Sequence, residues 1–104
     1  MRPVYVTVLG GGSWGTTVAS LAAANGDAVL WARDEATVDE INERHRNSRY
    51  LPDLDLHPRL TATTSLEQAV GDADVIVVGV PSQAVRDTLR AVSPYLRHWV
   101  PIVS

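Results

Sequence analysis

The sequence has no cysteine and no lysine, and all 9 of its Lys-or-Arg positions are arginine. Without cysteine there is neither a disulfide framework nor a thiolate metal site. Without lysine, any step that needs an ammonium group has to be served from outside these 104 residues. No apolar run approaches the ~20 residues of a membrane-spanning helix, so no membrane partner is expected. Met1-Arg2-Pro3-Val4 leads straight into a strand-like segment instead of a charged-then-apolar signal peptide, which predicts a cytoplasmic location. The net charge of -3 offers nucleic acid no broad attraction. Repeats of solenoid period and low-complexity linkers are missing too. What remains, at 45% hydrophobic and 20% charged residues, fits one globular domain with one core and small ligands as partners.

Short apolar runs alternate with helical patterns along the chain. Val4 to Leu9 is a nearly continuous β-branched run ending at glycine, as in a strand buried on both faces of a parallel sheet. From Trp14 to Asn25 the apolar residues Trp14, Val18, Leu21 and Ala22 recur at helical spacing, and Asn25-Gly26 supplies the stop. Ala28 to Ala32 is a second strand, followed by an amphipathic helix from Glu35 to Arg46 that turns Val38 and Ile41 inward. Asn47 to Arg59, with Pro52 and Pro58, is a loop with some buried anchors, long enough to suggest a function. A short strand over Leu60 to Thr63 precedes a brief helix, where Ser65 and Gln68 have capping-box spacing and Gly71 ends the run. Asp72-Ala73-Asp74 turns the chain into the strongest strand signal, Val75 to Val80. Pro81 stops that strand, and Ser82 is expected to cap a helix with Val85, Leu89 and Val92 on one face. Val100 to Ser104 is a last strand fragment, and Tyr95 and Trp99 are expected to pack against the final helix. The pattern predicts an α/β domain with a doubly wound, mainly parallel sheet.

Gly10, Gly12 and Gly15 form a G-x-G-x-x-G pattern between a predicted strand and a predicted helix. Gly10 serves the sharp turn, Gly12 leaves room for a pyrophosphate against the backbone, and Gly15 lets helix and strand pack closely. Unpaired N–H groups at the helix start then face the anion. A tight strand-to-helix turn alone would explain an isolated glycine pattern, but strand, helix and second strand together point to a Rossmann-type dinucleotide site. At the end of the second strand an acidic residue suits NAD and an arginine suits the extra phosphate of NADP. Arg33 stands there, 33 − 15 = 18 residues after the last glycine, and Asp34 follows it. NADP is favoured and NAD stays open; FAD fits less well. Pro81 and Ser82 lie at the carboxyl end of the central strand, where open α/β sheets bind ligands, so they join the site, although strand termination and capping explain the same residues.

Four segments in register carry a family resemblance. Gly10-Gly11-Gly12-Ser13-Trp14-Gly15-Thr16 resembles the G-x-G-S-W-G-T opening of NAD(P)-dependent sn-glycerol-3-phosphate dehydrogenases of the bacterial type. Val29-Leu30-Trp31-Ala32-Arg33 is similar to that family's second strand, Asn47 to Pro52 to its N-x-x-Y-L-P loop, and Val80-Pro81-Ser82 with Arg86 to its V-P-S-x-x-x-R segment. The resemblance implies hydride transfer between NAD(P)H and dihydroxyacetone phosphate, giving sn-glycerol 3-phosphate for phospholipid synthesis. It implies cofactor contacts at Ser13, Trp14, Arg33 and Tyr50. It also implies two lysines for substrate and proton transfer, one after the fifth strand and one in a helical C-terminal domain. Neither lysine is in this sequence, so residues 1–104 are expected to be an incomplete dinucleotide-binding domain, inactive on the substrate alone. Two rivals stand beside this reading: another NADP-dependent hydroxyacid-type dehydrogenase such as a ketopantoate reductase, and a non-catalytic cofactor-sensing module. An unpaired final strand is expected to favour a homodimer.

The remaining polar residues receive plain roles. His45, His57 and His98 lack i, i+4 partners and carboxylates at ligand spacing, so no metal site is expected and they are assigned to surface or loop. Glu40, Glu43, Arg44 and Arg46 are read as a solvated charged face, and Asp72 and Asp74 as turn residues.

Overall fold

The structure, a computed structural model, describes residues 4–97 and 99–104; His98 and the Met1-Arg2-Pro3 start lie outside the described residues. Five parallel strands run in the spatial order β3-β2-β1-β4-β5. They are β1 (Tyr5–Leu9), β2 (Asp27–Trp31), β3 (Thr61–Thr63), β4 (Val75–Val78) and β5 (Ile102–Val103). The helices α1 (Ser13–Asn25), α2 (Glu35–Arg44), α3 (Leu66–Val70) and α4 (Val85–Val92) connect them. Because β1 has β2 on one side and β4 on the other, the strand order reverses there, and a crevice opens at the carboxyl ends of β1 and β4.

Two apolar layers sandwich the sheet. Val8, Leu30 and Ala62 from the strands pack with Ala19, Ala23, Val38 and Ile41 from α1 and α2 on one side. Leu9, Val29, Trp31, Ile76 and Val78 pack with Ala69, Val70 and Val92 from α3 and α4 on the other. Covered on both sides, the central strands β1, β2 and β4 read as largely apolar runs instead of alternating ones.

Several expectations shift in register or role. The first two strands move by one residue: Val4 lies outside β1, Asp27 opens β2 and Ala32 follows it. The buried stripe of α1 is Gly15, Thr16, Ala19 and Ala23, not the larger residues, while Trp14 and Leu21 are exposed and Val18 and Ala22 are half-buried. Small side chains let this helix lie close to the sheet, and the bulky ones are displaced outward. The second helix ends at Arg44, because His45 adopts a left-handed conformation (φ 56°) and its N–H closes the last turn on the Ile41 carbonyl. His45 is half-buried in the loop that begins after α2. Ser65 does cap α3 by accepting from Gln68 N at 3.2 Å, but the reciprocal bond is absent. The Ser65 amide donates to Thr63 Oγ1 (3.0 Å), and Thr63 in turn donates to Gln68 (3.3 Å).

The strand predicted to Val80 ends at Val78, although Gly79 N still donates to Leu9 O at 2.7 Å. Ser82 does not cap α4. It opens a single 3₁₀ turn, Ser82–Ala84, and the helix begins after it with no side-chain cap. Trp99 is 96% exposed at φ 67° and does not pack against α4 as expected, whereas Tyr95, in the turn that follows α4, is partly exposed. Asp74 is more than a turn residue: its carboxylate accepts from Tyr5 N at 2.8 Å and faces Arg97 at 3.7 Å, which fixes the start of β1.

Candidate dinucleotide-binding site

The site grows from the turn after β1. Gly10 takes φ 126°, and a Cβ there would stand 2.8 Å from the Gly79 backbone, so the first glycine of the pattern is where β1 and the end of β4 touch. A Cβ on Gly12 would meet nothing within 4 Å, leaving its outer side open to the crevice. One on Gly15 would meet Gly10 O at 2.2 Å, so α1 can rise from the turn only with glycine there. No side chain caps α1 at its Gly12 start, and its first-turn amides keep their hydrogen-bonding capacity at the crevice mouth.

Around this turn lies a cavity of about 820 Å³, within the range of about 300–1,000 Å³ of small-ligand sites. The structure brings together Gly10, Gly12, Ser13, Trp14, Arg33, Tyr50 and Pro81 on its wall. Gly15 and Ser82 do not line it: Gly15 is buried behind the turn and Ser82 faces solvent beyond Pro81. Other wall residues carried no expected role in the site, among them Gly11, Ala32, Thr37, Arg49 and Gly79. Gly11 backs onto Ala32, whose Cβ would be 2.8 Å from a Cβ on Gly11. Gly79 leaves space for the Trp14 ring, which would sit 3.3 Å from a Cβ at that position.

The loop after α2 forms the far wall, and its anchor is a polar side chain, Asn47. Asn47 is 0% exposed, and its side-chain amide donates to Gly11 O and to Thr16 Oγ1, each at 2.9 Å. The same residue's carbonyl accepts from Leu51 N at 2.8 Å, closing the loop on itself. Glu40 accepts from the Ser48 amide (2.9 Å) and from its hydroxyl, while Arg46 pairs with Asp55 (2.8 Å) and donates to Pro52 O (3.0 Å). Glu40 and Arg46 are thus loop anchors and not merely a solvated face. Held this way, Arg49 stacks over the Tyr50 ring with its guanidinium carbon 5.3 Å from the centroid.

Asp34 opens α2. Its carboxylate accepts from Ala36 N (3.3 Å) and from the Thr37 hydroxyl (2.9 Å). The Thr37 hydroxyl chiefly, then the α2 amides and the Arg49 charge, hold this carboxyl below the usual range. Glu40 is held low by the Ser48 hydroxyl and amide. Both carboxyls are depressed on folding, so their contribution is fully present above the unfolded carboxylate range of about pH 4 and is lost as pH falls through the lower folded values. Among the described residues no group of His, Cys, Asp or Glu could hold a metal ion, and no helix is long and apolar enough to cross a membrane.

A parallel sheet of order 3-2-1-4-5, with a glycine turn and an uncapped helix start at its switch point, is a Rossmann-type domain. Residues 5–104 match the family described as NAD-dependent glycerol-3-phosphate dehydrogenase N-terminus, and the chain belongs to that family. It is 53% identical to the glycerol-3-phosphate dehydrogenase [NAD(P)+] of Mycobacterium avium over 105 aligned positions, covering 100% of this chain and 31% of the relative. A relative of the same name from Acinetobacter baumannii is 53% identical over 92 residues, 88% of this chain and 26% of its own length. Among solved structures, the glycerol-3-phosphate dehydrogenase of Saccharomyces cerevisiae superposes with a TM-score of 0.89 at 30% identity, over 97% of this chain and 33% of that one. The Coxiella burnetii enzyme gives 0.85 at 29% identity, over 97% and 31%. The chain spans about a third of the length of the relatives it matches.

Proposed function

We propose that residues 1–104 are the NAD(P)-binding part of a longer oxidoreductase that interconverts dihydroxyacetone phosphate and sn-glycerol 3-phosphate for phospholipid synthesis, in the cytoplasm. The observation that carries this reading is the convergence, in one cavity, of an open glycine turn, an uncapped helix start and two arginines, Arg33 and Arg49. These are the groups a dinucleotide needs: backbone donors for the diphosphate and cationic forks for a further phosphate.

When bound, the nicotinamide supplies the hydride. The work of this chain is to hold and aim it. Amides at Gly12, Ser13 and Trp14 meet the diphosphate, Gly10 lets the turn close, and Gly15 seats α1 behind them. Arg33 and Tyr50 face the adenosine end. Val80 and Pro81, at the carboxyl end of β4, flank the nicotinamide side, with the Trp14 indole over Gly79 closing the crevice between. Ser82 starts the turn that follows Pro81 and acts through it. Polarising the carbonyl and moving the proton fall to groups outside this lysine-free sequence. Nucleic acid and membrane have no place among the partners. The exposed Ile102 and Val103 of β5, at the sheet edge, are where a second copy would add in a homodimer.

Calorimetric titration of the purified chain with NADPH and NADH tests this reading. Both are expected to bind, NADPH more tightly, with no turnover of dihydroxyacetone phosphate. Size-exclusion chromatography of the same sample is expected to show a dimer at high concentration. Failure to bind either dinucleotide would sink the cofactor assignment, turnover would overturn the division of labour, and a monomer at every concentration would remove the dimer.

A further inference from the structure

The adenosine end of the cavity carries a charge arrangement that the glycine pattern does not predict. Arg33, Asp34 and Arg49 all stand on its wall, brought there by two different segments: the end of β2 and the loop after α2. Among the described residues neither guanidinium makes a hydrogen bond or a close ion pair; Arg49 lies over the face of Tyr50 and its charge is felt by the Asp34 carboxylate across the wall. Stacking on a ring uses the face of a guanidinium and leaves its N–H edge free to donate. Asp34, the acidic residue next to Arg33, already accepts one bond at each carboxylate oxygen in starting α2.

We propose that Arg49, together with Arg33, forms a two-guanidinium seat for the 2′-phosphate of the dinucleotide, so that selectivity for the phosphorylated cofactor rests on the loop as much as on the strand end. The inference builds on the cofactor reading above and deepens it. Charge counting decides why one arginine is insufficient. Arg33 and Asp34 together bring one positive and one negative charge to the wall, so with Arg33 alone the wall is neutral and a phosphate gains little there. With Arg49 the wall carries a net positive charge and a second fork, and a planar fork suits a phosphate better than a point charge does. Anchoring of the loop through Asn47 to Gly11 places Arg49 before the ligand arrives, so little side-chain order has to be created on binding.

The test compares Arg49→Ala and Arg49→Lys with the unmodified chain in titrations with NADPH, NADH, 2′,5′-ADP and 5′-AMP. Arg49 is exposed, so its removal leaves the core untouched, and a melting curve on each variant checks this. Arg49→Ala is expected to weaken NADPH and 2′,5′-ADP by about tenfold or more, as for loss of a charge-assisted hydrogen bond, while NADH and 5′-AMP change by less than about twofold. Arg49→Lys, which keeps the charge and loses the fork, is expected to recover part of the loss. A parallel fall in all four ligands would overturn the proposal by placing Arg49 on a feature they share, and unchanged NADPH binding would overturn it outright. Should the unmodified chain bind no dinucleotide at all, the cofactor reading itself fails; normal binding with an insensitive Arg49 defeats only this inference.

Discussion

Replacing Gly15 by alanine is expected to destabilise the fold by about 3 kcal/mol or more, at the upper end of the usual cost of overpacking. For a chain of this size that corresponds to a fall of roughly 12–24 °C in Tm. The new methyl carbon would stand 2.2 Å from the carbonyl oxygen of Gly10 and 3.5 Å from Val8 Cγ1. The first is backbone, held on one side by the bond from Gly10 N to Trp31 O (2.9 Å), and it cannot rotate away as a side-chain tip would. Relief therefore requires α1 to lift from the sheet, which opens the layer where Ala19 and Ala23 are fully buried. Gly12→Ala is the contrasting case. Its backbone is extended (φ -75°) and no atom lies within 4 Å of the added carbon, so stability is expected to stay within about 0.5 kcal/mol. Yet the methyl group stands where the diphosphate would approach, so NADPH binding is expected to be lost. Thermal melts paired with NADPH titrations separate the two: a Gly15→Ala protein melting with the wild type would refute the tight approach, and a Gly12→Ala protein that binds normally would refute the placement of the diphosphate.

That contrast shows what the sequence could and could not convey. The order of strands and helices was legible because the central strands are covered on both sides of the sheet and therefore rich in apolar residues, as in Val75-Ile76-Val77-Val78. The glycine turn was legible because its requirements are local: a positive φ at Gly10 and the absence of a side chain at Gly15 act within a few residues. Long-range consequences were hidden. Leu21 and Trp14 fit a helical apolar stripe as well as Ala19 and Ala23 do, and only the closeness of α1 to the sheet decides that the small residues face inward. Ser82 has the composition of a cap, but the 3₁₀ turn after Pro81 moves the helix start beyond its reach. Trp99 was expected to pack against the final helix, but its backbone is left-handed there and its side chain is exposed. The wall that carries Arg33 and Arg49 was half legible. Arg33 follows its strand at a characteristic distance, whereas Arg49 and Asn47 reach the site through a loop whose path depends on bonds spanning tens of residues.

Asn47→Ala is the second change with a large expected effect, and it tests whether that loop is one unit with the glycine turn. The side chain is fully buried, so truncation leaves a void, and it also removes the donors to Gly11 O and Thr16 Oγ1. A buried acceptor left unpaired, added to the void, is expected to lower stability by about 2–4 kcal/mol. Asn47→Asp sharpens the test, because it keeps the volume and replaces donors with a carboxylate aimed at a carbonyl oxygen. Burial among acceptors favours the protonated acid, raising the folded pKa of that group. Its penalty is then small below the unfolded carboxylate range of about pH 4 and grows as pH rises above it. The wild type follows the opposite course, losing the contributions of Asp34 and Glu40 as pH falls. Melting temperatures of the two proteins should therefore converge towards acid and diverge towards neutrality, and a constant gap across that range would show that Asn47 does not donate into the turn. Because the released loop carries both Arg49 and Tyr50, Asn47→Ala is also expected to weaken NADPH and NADH together. An effect confined to NADPH would mean that Asn47 serves only the phosphate seat, and that the glycine turn holds its shape without the loop.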